Sequence, residues 1–414
     1  MKHLSVLSYH SSPLVEPGFG DAGGMTVYVR ALAETLAHSG IRTDVFTRSE
    51  EARTSIEHIF PGVRVVSIPT GPTGPLSKED SARFIGEFVE GINAFAVAHR
   101  VGYDVVHSHY WQSGLAGIAL AERWGVPLIH SHHTLARVKN GFLAPGDRPE
   151  PDTRIAGEQR VIQEAGVLIA STEEEWGHLA SLYRAPHDRV KTIHPGVSHE
   201  RFFPGDKAEA RAGVGLPADA AVLLCVGRIQ PLKGLDLAVR ALEELSSALE
   251  REVLLVLVGG TSGGRGSAEE QRLSELATDL GVRDRVVFAG HQPHDRTPQF
   301  YRAADLVAIC SYSESFGLSA LEAHACGIPV IGTDVGALSH IVRDGRSGFL
   351  LGQRDPSIFA ARAKSLLSDQ NMLEEFSREA IRSASSFTWE RTADALIELY
   401  ECLVTESVPE ACTC

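Results

Sequence analysis

The sequence lacks the features that mark membrane and secreted proteins. No apolar stretch approaches the roughly 18–20 residues that a transmembrane helix needs. The segment Met1–Tyr9 carries one lysine and too short an apolar run for a secretory signal peptide. We therefore expect a cytoplasmic protein with no membrane span.

Cysteine is also scarce, with six residues scattered among 414. Cys225, Cys310 and Cys326 lie in apolar runs, where a free thiol packs as a small hydrophobic group. Cys412 and Cys414 form a pair in a tail that we predict to be unstructured. The spacing gives no disulfide framework.

Basic residues are outnumbered, because 39 Lys and Arg stand against 53 Asp and Glu, for a formal net charge of −14. Nucleic-acid binding requires a basic face, so a nucleic-acid partner is excluded. Hydrophobic residues make up 43% and charged residues 22%, as is usual for globular proteins. A chain of this length suits two domains of ordinary size.

Apolar runs of strand length alternate with segments of helical period, which predicts an α/β fold with parallel sheets. A helix is predicted over Thr26–His38, closed by Gly40. The segment Ser198–Asp206 has no periodicity and is predicted to link two domains. The predicted strands of the first half are Leu4–Tyr9, Thr43–Thr47, Val63–Ile68, Asp104–His107, Pro127–His130, Val167–Ala170 and Val190–Ile193. Those of the second half are Ala221–Val226, Val253–Val258, Val286–Ala289, Asp305–Cys310 and Pro329–Thr333.

The stretch Ser313–Ala323 follows a predicted strand and opens a helix that ends near Gly327. If Gly317 lies at the turn, Glu314 precedes the helix and Glu322 lies one turn into it. Helix N-termini present free N–H donors and a partial positive charge, so they bind phosphate well. Two glutamates around a helix start are also a common complement to the helix dipole.

A second loop strengthens the phosphate interpretation. The apolar run Val222–Val226 ends in Gly-Arg-Ile-Gln-Pro-Leu-Lys-Gly, which places Arg228 and Lys233 five residues apart between a strand and a helix. Two cations at this spacing suit a diphosphate, with arginine as a planar fork and lysine as a point charge.

The Gly-Arg-x(4)-Lys-Gly loop and the Glu-x(7)-Glu pair resemble those of the large family of retaining glycosyltransferases. Further motifs, near His10, Gly23 and His133 and at His107–Trp111, are similar to those of the mycothiol-pathway glycosyltransferases. The similarity covers nearly the whole chain. It implies a GT-B fold, with two doubly wound Rossmann-like domains facing across a cleft. We predict an acceptor domain at 1–197, a nucleotide-sugar domain at 198–387, and a closing helix with a tail at 388–414, the helix spanning Thr388–Leu403.

In such an enzyme, Arg228 and Lys233 stabilise the departing diphosphate, Glu314 binds a sugar hydroxyl and Glu322 binds the ribose. The resemblance implies a catalytic set of His133, Arg228, Lys233 and Glu314, with His133 beside the transferred sugar. The implied donor-binding residues are Gly24, Arg228, Lys233, Glu314, Phe316, Gly317, Leu318 and Glu322. A nucleotide-sugar donor and a small acceptor are the implied partners, and a homodimer is compatible with the sequence.

The implied acceptor is an inositol phosphate that receives N-acetylglucosamine from UDP. The implied acceptor-binding residues are His10, Thr26, Lys78, Tyr110, Thr134 and Arg154. The sequence departs from the family pattern at Thr26, where an asparagine is usual, and at His132, where a small residue is usual. Ala337 and Ser339 interrupt a Gly-Gly-Leu-Pro loop.

These departures leave three further hypotheses. One is a paralogue of antibiotic biosynthesis, resembling the lincosamide-pathway enzyme that transfers an octose from a GDP-sugar to ergothioneine. Another is a nucleotide-sugar 2-epimerase, and the last is a non-catalytic sensor of sugar nucleotides. A dinucleotide site is disfavoured because Gly18, Gly20 and Gly23 follow the strand too late for the fingerprint turn.

Metal ions have little support in the sequence. The sequence contains no Asp-x-Asp, so the metal-dependent type of glycosyltransferase is disfavoured. Neighbouring residues of a strand point to opposite faces, and no cysteine or carboxylate joins the histidines at 130, 132 and 133 at ligand spacing, so a zinc site is disfavoured. The resemblance implies a weak Mg²⁺ site on the backbone of Tyr301, Arg302 and Ala304. No cofactor is required for the chemistry.

Overall fold

The computed structural model describes residues 1–18, 20, 22–261 and 263–406. The strands are β1 His3–Leu7, β2 Arg42–Ser49, β3 Ser55–Phe60, β4 Val63–Pro69, β5 Val105–His109, β6 Leu128–Ser131, β7 Val167–Ala170, β8 Val190–Thr192, β9 Ala221–Val226, β10 Val253–Val258, β11 Val286–Gly290, β12 Leu306–Ile309, β13 Val330–Thr333 and β14 Gly348–Leu351.

The helices alternate with these strands. They are α1 Gly24–His38, α2 Lys78–Ser81, α3 Ile85–His99, α4 Trp111–Trp124, α5 Ala136–Gly141, α6 Asp152–Glu164, α7 Glu173–Tyr183, α8 Lys207–Val214, α9 Asp236–Ala248, α10 Gly263–Asp279, α11 Thr297–Ala303, α12 Leu318–Ala325, α13 Leu338–Ile341, α14 Pro356–Leu367, α15 Gln370–Ala384 and α16 Trp389–Glu406. Single 3-10 turns occur at Ala82–Phe84, His187–Arg189, Pro231–Lys233 and Arg283–Arg285.

The strands form two sheets. The first has eight strands in the order β3-β4-β2-β1-β5-β6-β7-β8, and the second has six in the order β11-β10-β9-β12-β13-β14. All pairings are parallel except that of β3 with β4. In each sheet the order reverses beside its first strand, β1 or β9, which creates the crevice where doubly wound sheets bind ligands.

The predicted α/β architecture is confirmed, with most strand ends within two residues of prediction. Two strands were missed. The strand β3 is an exposed edge with a glutamate and a histidine in its short run, and β14 begins at a glycine. The helix α1 begins at Gly24, two residues before its predicted start, so the glycine-rich loop contributes the first helical turn. Cys225, Cys310 and Cys326 are buried free thiols, as predicted, whereas Cys412 and Cys414 lie outside the described residues.

The chain passes between the two sheets twice. The predicted linker at 198–206 contains no regular element and buries Phe202 against the second sheet. The helix α16 returns to the first sheet, where its buried residues Trp389 and Tyr400 pack in the same core cluster as α1. The two crossings touch, because Val197 forms an isolated parallel bridge with Thr388. The domain boundaries stay a prediction.

No helix in the described part of the chain is both long and apolar enough to cross a membrane.

Candidate active site

The helix α12 begins where the sequence motif predicts, with Gly317 at its N-cap. Gly317 has φ +92°, and a side chain there would lie 2.8 Å from Leu338 Cδ2, so glycine suits this turn on both counts. The free N–H groups of the first turn of α12 therefore begin directly after the loop that carries Glu314.

Glu314 and Lys233, which the sequence assigns to sugar and diphosphate, form an ion pair through Lys233 Nζ and Glu314 Oε1. Ser311 Oγ donates to the same carboxylate oxygen at 2.6 Å. The Glu314 side chain is 11% exposed, so its position is fixed by these two partners. Ser311 was not predicted from the sequence because it contributes one hydroxyl outside both motifs.

Gly336 also approaches Glu314 closely. It has φ +56°, and a Cβ atom at this position would lie 1.8 Å from the Glu314 carbonyl oxygen. The loop of Gly336 therefore packs directly on the backbone that carries the Glu314 carboxylate.

We expect Gly336→Ala to shift Glu314 and to lower the free energy of unfolding by about 1–3 kcal/mol, the usual range for a strained backbone. Transfer activity should fall with it. Gly345→Ala is the matched control, because Gly345 has φ +70° but no atom within 4 Å of the point that a Cβ atom would occupy. Thermal unfolding and turnover of both variants test this, and equal behaviour would contradict the contact argument.

Glu322 lies one turn into α12, as predicted, and is 8% exposed. It accepts a hydrogen bond from the Tyr301 hydroxyl at 2.8 Å and lies 3.0 Å from His294 Nε2. Both partners come from the segment before β12, so sequence motifs alone did not reveal them. They hold the carboxylate in place near the start of α12.

A Mg²⁺ site on the backbone of Tyr301, Arg302 and Ala304 stays a prediction. The Tyr301 carbonyl already accepts the Ala304 N–H at 3.0 Å. The guanidinium of Arg302 bonds to the carbonyls of Arg201 and Phe203, which places a positive charge on the same turn. Among the described residues no group of three or more His, Cys, Asp or Glu side chains could hold a metal ion.

The glycine-rich loop touches the second sheet's phosphate-type loops. A Cβ atom on Gly23 would lie 3.5 Å from Arg228 Nε, and one on Gly24 would lie 3.5 Å from Leu318 Cδ1. Glycine therefore lets the first helix of one sheet approach Arg228 and the start of α12. Gly24, Arg228, Leu318 and Lys233 come together at one end of the cleft.

The predicted acceptor residues converge on the ring of Tyr110. Lys78 Nζ lies 5.9 Å and Arg154 Cζ 4.9 Å from its centroid, and the His10 ring centroid lies at 4.3 Å. Arg154 Nη2 donates to Thr134 Oγ1 at 2.9 Å. Segments distant in the chain thus meet at one cationic place.

The electrostatics of this place follow from its cations. Burial lowers the pKa of His10 well below its usual range, and the charges of Lys78, Arg154 and Arg228 add to the effect. His10 is therefore neutral at physiological pH. Burial raises the pKa of Tyr110 to about 12, so its hydroxyl stays protonated and can donate a hydrogen bond.

Two predicted residues have buried side chains. Thr26 is 1% exposed, and its Oγ1 is hydrogen-bonded to Ser11 Oγ at 2.8 Å, so its side chain braces the loop after β1. The Phe316 ring is buried in the core near Phe387, with centroids 6.0 Å apart. Any donor contact of Phe316 would have to come from its backbone.

His133 lines the cleft at a strained position, with φ +60°. Burial lowers its pKa to about 3. Its Nε2 lies 2.9 Å from His109 Nδ1, and this pair is part of a buried group of histidines below the acceptor residues. The other bonds of the group join His107 to Tyr400 and Ser131, and His130 to Ser108 and His132.

A cavity of about 390 Å³ lies between the two sheets. One wall carries His133, Thr134 and Glu175, and the other carries Arg228, Lys233 and Glu314. This volume lies in the range of small-molecule sites. Thr134 of the predicted acceptor residues thus shares one cavity with Arg228, Lys233 and Glu314 of the predicted donor residues.

Comparison with known proteins identifies the family. A model of the glycosyl transferases group 1 matches residues 206–383, and a model of a glycosyl transferase 4-like domain matches residues 23–196. The chain belongs to the glycosyltransferases. The order of its sheets and its structural neighbours give it the GT-B fold, as the sequence predicted.

This glycosyltransferase is 47% identical to the D-inositol 3-phosphate glycosyltransferase 2 of Catenulispora acidiphila, over 96% of this chain and 94% of the relative. It is also 47% identical to the D-inositol 3-phosphate glycosyltransferase of Mycobacteroides abscessus, over 96% of this chain and 89% of the relative. Among solved structures, the sucrose-phosphate synthase of Thermosynechococcus elongatus matches with a TM-score of 0.90 and 30% identity, covering 98% of this chain and 100% of that one.

Proposed function

We propose that the protein is a retaining glycosyltransferase that moves N-acetylglucosamine from UDP-N-acetylglucosamine onto D-inositol 3-phosphate, also written 1L-myo-inositol 1-phosphate. Its product would serve the biosynthesis of a low-molecular-weight thiol of the mycothiol type. The observation that carries the proposal is that Lys78 and Arg154 meet at Tyr110, and that Thr134, which Arg154 contacts, lines the same cavity as Arg228 and Lys233. The names of the relatives support the same acceptor.

On the donor side, Arg228, Lys233 and the start of α12 supply positive charge where the diphosphate leaves. Such preorganised groups stabilise the charge that develops in the transition state. Glu314 is held by Ser311 and Lys233 so that its free oxygen can accept a sugar hydroxyl. Glu322 would accept the ribose hydroxyls in exchange for its contact with His294.

In the transfer itself, the bond from the sugar C1 to the diphosphate oxygen breaks, and a bond from C1 to an inositol hydroxyl oxygen forms. Retention requires attack on the face that the diphosphate leaves. The hydroxyl proton then passes to an oxygen of the departing diphosphate. The chain needs to provide only position and charge, and no step depends on Mg²⁺.

A second candidate is the paralogous transferase with a different acceptor. It is favoured by one observation, which is that the charge of Arg154 is already balanced by Glu150 and Glu158. A neutral acceptor such as a thiol would therefore not leave that arginine without a counter-ion.

The test is a mass-spectrometric assay with UDP-N-acetylglucosamine and D-inositol 3-phosphate. We expect a phosphorylated pseudodisaccharide together with UDP, with the anomeric configuration of the donor. Parallel reactions contain GDP-sugars with ergothioneine, or donor alone. Product only with the thiol would select the paralogue, and epimerised sugar without acceptor would replace the transferase by an epimerase.

A further inference from the structure

Arg154 is held by partners within the protein. Each of its three guanidinium nitrogens lies within about 3.1 Å of an oxygen acceptor, the reach of an ordinary hydrogen bond. Nε contacts Glu158 at 2.8 Å, Nη1 contacts Glu150 at 2.9 Å, and Nη2 contacts Thr134 Oγ1 at 2.9 Å. The side chain is only 5% exposed. Because so little of the side chain is exposed, a phosphate that binds Arg154 competes with these partners for the guanidinium.

Glu158 is not replaceable. Its side chain is 1% exposed, and besides Arg154 it accepts the Ala136 N–H at 3.0 and 3.1 Å and the Tyr183 hydroxyl. Removing it from Arg154 would leave a buried carboxylate short of a donor, which is costly. Glu158 instead holds both Arg154 and the start of α5, next to Thr134, in position.

Glu150 differs in each respect. Its side chain is 15% exposed and lies in the loop before α6. Its carboxylate has a second cation, Lys139, which is itself 30% exposed and lines the cleft cavity. A Glu150 carboxylate that leaves Arg154 thus keeps a counter-ion.

The backbone around Glu150 stays anchored in either case. Asn140 Oδ1 accepts the Glu150 N–H at 2.7 Å, so only the side chain has to move. The negative charge of Glu150 also adds to the effects that raise the pKa of Tyr110, which places that charge beside the acceptor residues.

We propose that the Glu150 carboxylate occupies the place on Arg154 where the phosphate of the acceptor binds. The phosphate displaces this carboxylate, and the exchange selects a phosphorylated acceptor over a neutral one. The proposal rests on the proposed function, because it concerns the same acceptor. A dianionic phosphate brings more charge than the carboxylate it displaces and can repay the broken ion pair. A neutral polyol cannot.

The test is the affinity for inorganic phosphate, measured by calorimetry on the full-length protein and on three variants. In Glu150→Gln the competing charge is gone, and we expect phosphate to bind about tenfold more tightly, since a hydrogen bond to a charged group has roughly this worth. Glu158→Gln also removes one negative charge from the partners of Arg154, but here Arg154 and the Thr134 loop lose their anchor. Phosphate binding should then weaken.

Glu164→Gln is the matched control. Glu164 pairs with Arg160 on α6, and the two are four residues apart, as Arg154 and Glu158 are. Both side chains of this pair are exposed. This variant should bind phosphate like the unchanged protein, which separates displacement from a general change of charge. Unchanged or weaker phosphate binding in Glu150→Gln, with a native thermal transition, would overturn the proposal.

Steady-state kinetics give an independent readout. Glu150→Gln should lower the KM for D-inositol 3-phosphate and leave the KM for UDP-N-acetylglucosamine unchanged, a gain that a merely structural role would not produce. The phosphate titration needs no turnover. If the variants bind phosphate as expected but the protein does not glycosylate D-inositol 3-phosphate, the proposed function alone is rejected. If the protein does so but the variants do not bind phosphate as expected, the role of Glu150 alone is rejected.

Discussion

Replacing Lys233 with alanine should lower kcat for sugar transfer by about 10²–10³-fold, the range found when one preorganised charge-stabilising group is removed. Lys233 is 25% exposed at the cleft and forms the ion pair with Glu314. The variant therefore loses charge at the proposed diphosphate site and also loses the ion-pair partner of Glu314, the carboxylate that we assign to the sugar. Release of UDP from UDP-N-acetylglucosamine in the presence of acceptor measures the effect.

Lys364→Ala controls for the loss of one positive charge. Lys364 is exposed on α14, away from the residues that line the cleft cavity. Turnover of this variant should match that of the unchanged protein. Turnover of Lys233→Ala at the unchanged rate would show that the diphosphate lies elsewhere.

Acid should destabilise the first sheet through the histidines that are buried in it. His107, His109, His130 and His132 are each at most 1% exposed. Burial lowers the pKa of His107 and of His132 to about 3, and that of His109 and of His130 well below the usual range. The folded protein therefore keeps these rings neutral under mildly acidic conditions.

The sign of the effect follows from proton binding. The unfolded chain takes up a proton on each histidine below about pH 6.5, and the folded chain does not. The contribution of these histidines to the free energy of unfolding is fully present above that pH. It is lost as the pH falls toward 3, at about 1.4 kcal/mol per pH unit for each buried histidine. Burial alone would raise the pKa of the Asp44 carboxyl, but its hydrogen bonds to His3, Arg64 and Tyr103 lower that pKa to about 2, so this group titrates later.

Urea midpoints between pH 7.5 and 4.5 test this prediction. Tryptophan fluorescence is a suitable probe, because all four tryptophans, Trp111, Trp124, Trp176 and Trp389, pack with elements of the first sheet. His132→Gln should reduce the slope against pH, and His58→Gln, an exposed residue of β3, should not. A midpoint independent of pH across this range would contradict it.

The sequence predicted the parts of the fold that depend on burial. Strands such as β9, β10 and β7 are continuous apolar runs with fixed ends, and their predicted bounds are correct. The edge strand β3 is defined by its pairing with β4, so its own residues carry little signal. Local pattern cannot reveal an element that depends on its neighbour.

The candidate site divides in the same way. The loops with Arg228, Lys233 and Glu314 are short motifs, so the sequence alone predicts that they meet at one end of a sheet. The partners that fix them come from elsewhere in the chain, as Tyr301 does for Glu322. Glu150 escaped notice because its role depends on its distance from Arg154, which only the folded chain sets.

The two crossings between the sheets are bonded to each other. Besides the bridge of Val197 with Thr388, the Val197 N–H donates to the Phe387 carbonyl at 3.2 Å, and Thr392 Oγ1 donates to the His194 carbonyl at 2.7 Å. Two chain segments bonded side by side resist twisting more than a single linker does. They therefore help to keep Gly23, beside the first sheet, opposite Arg228 of the second sheet.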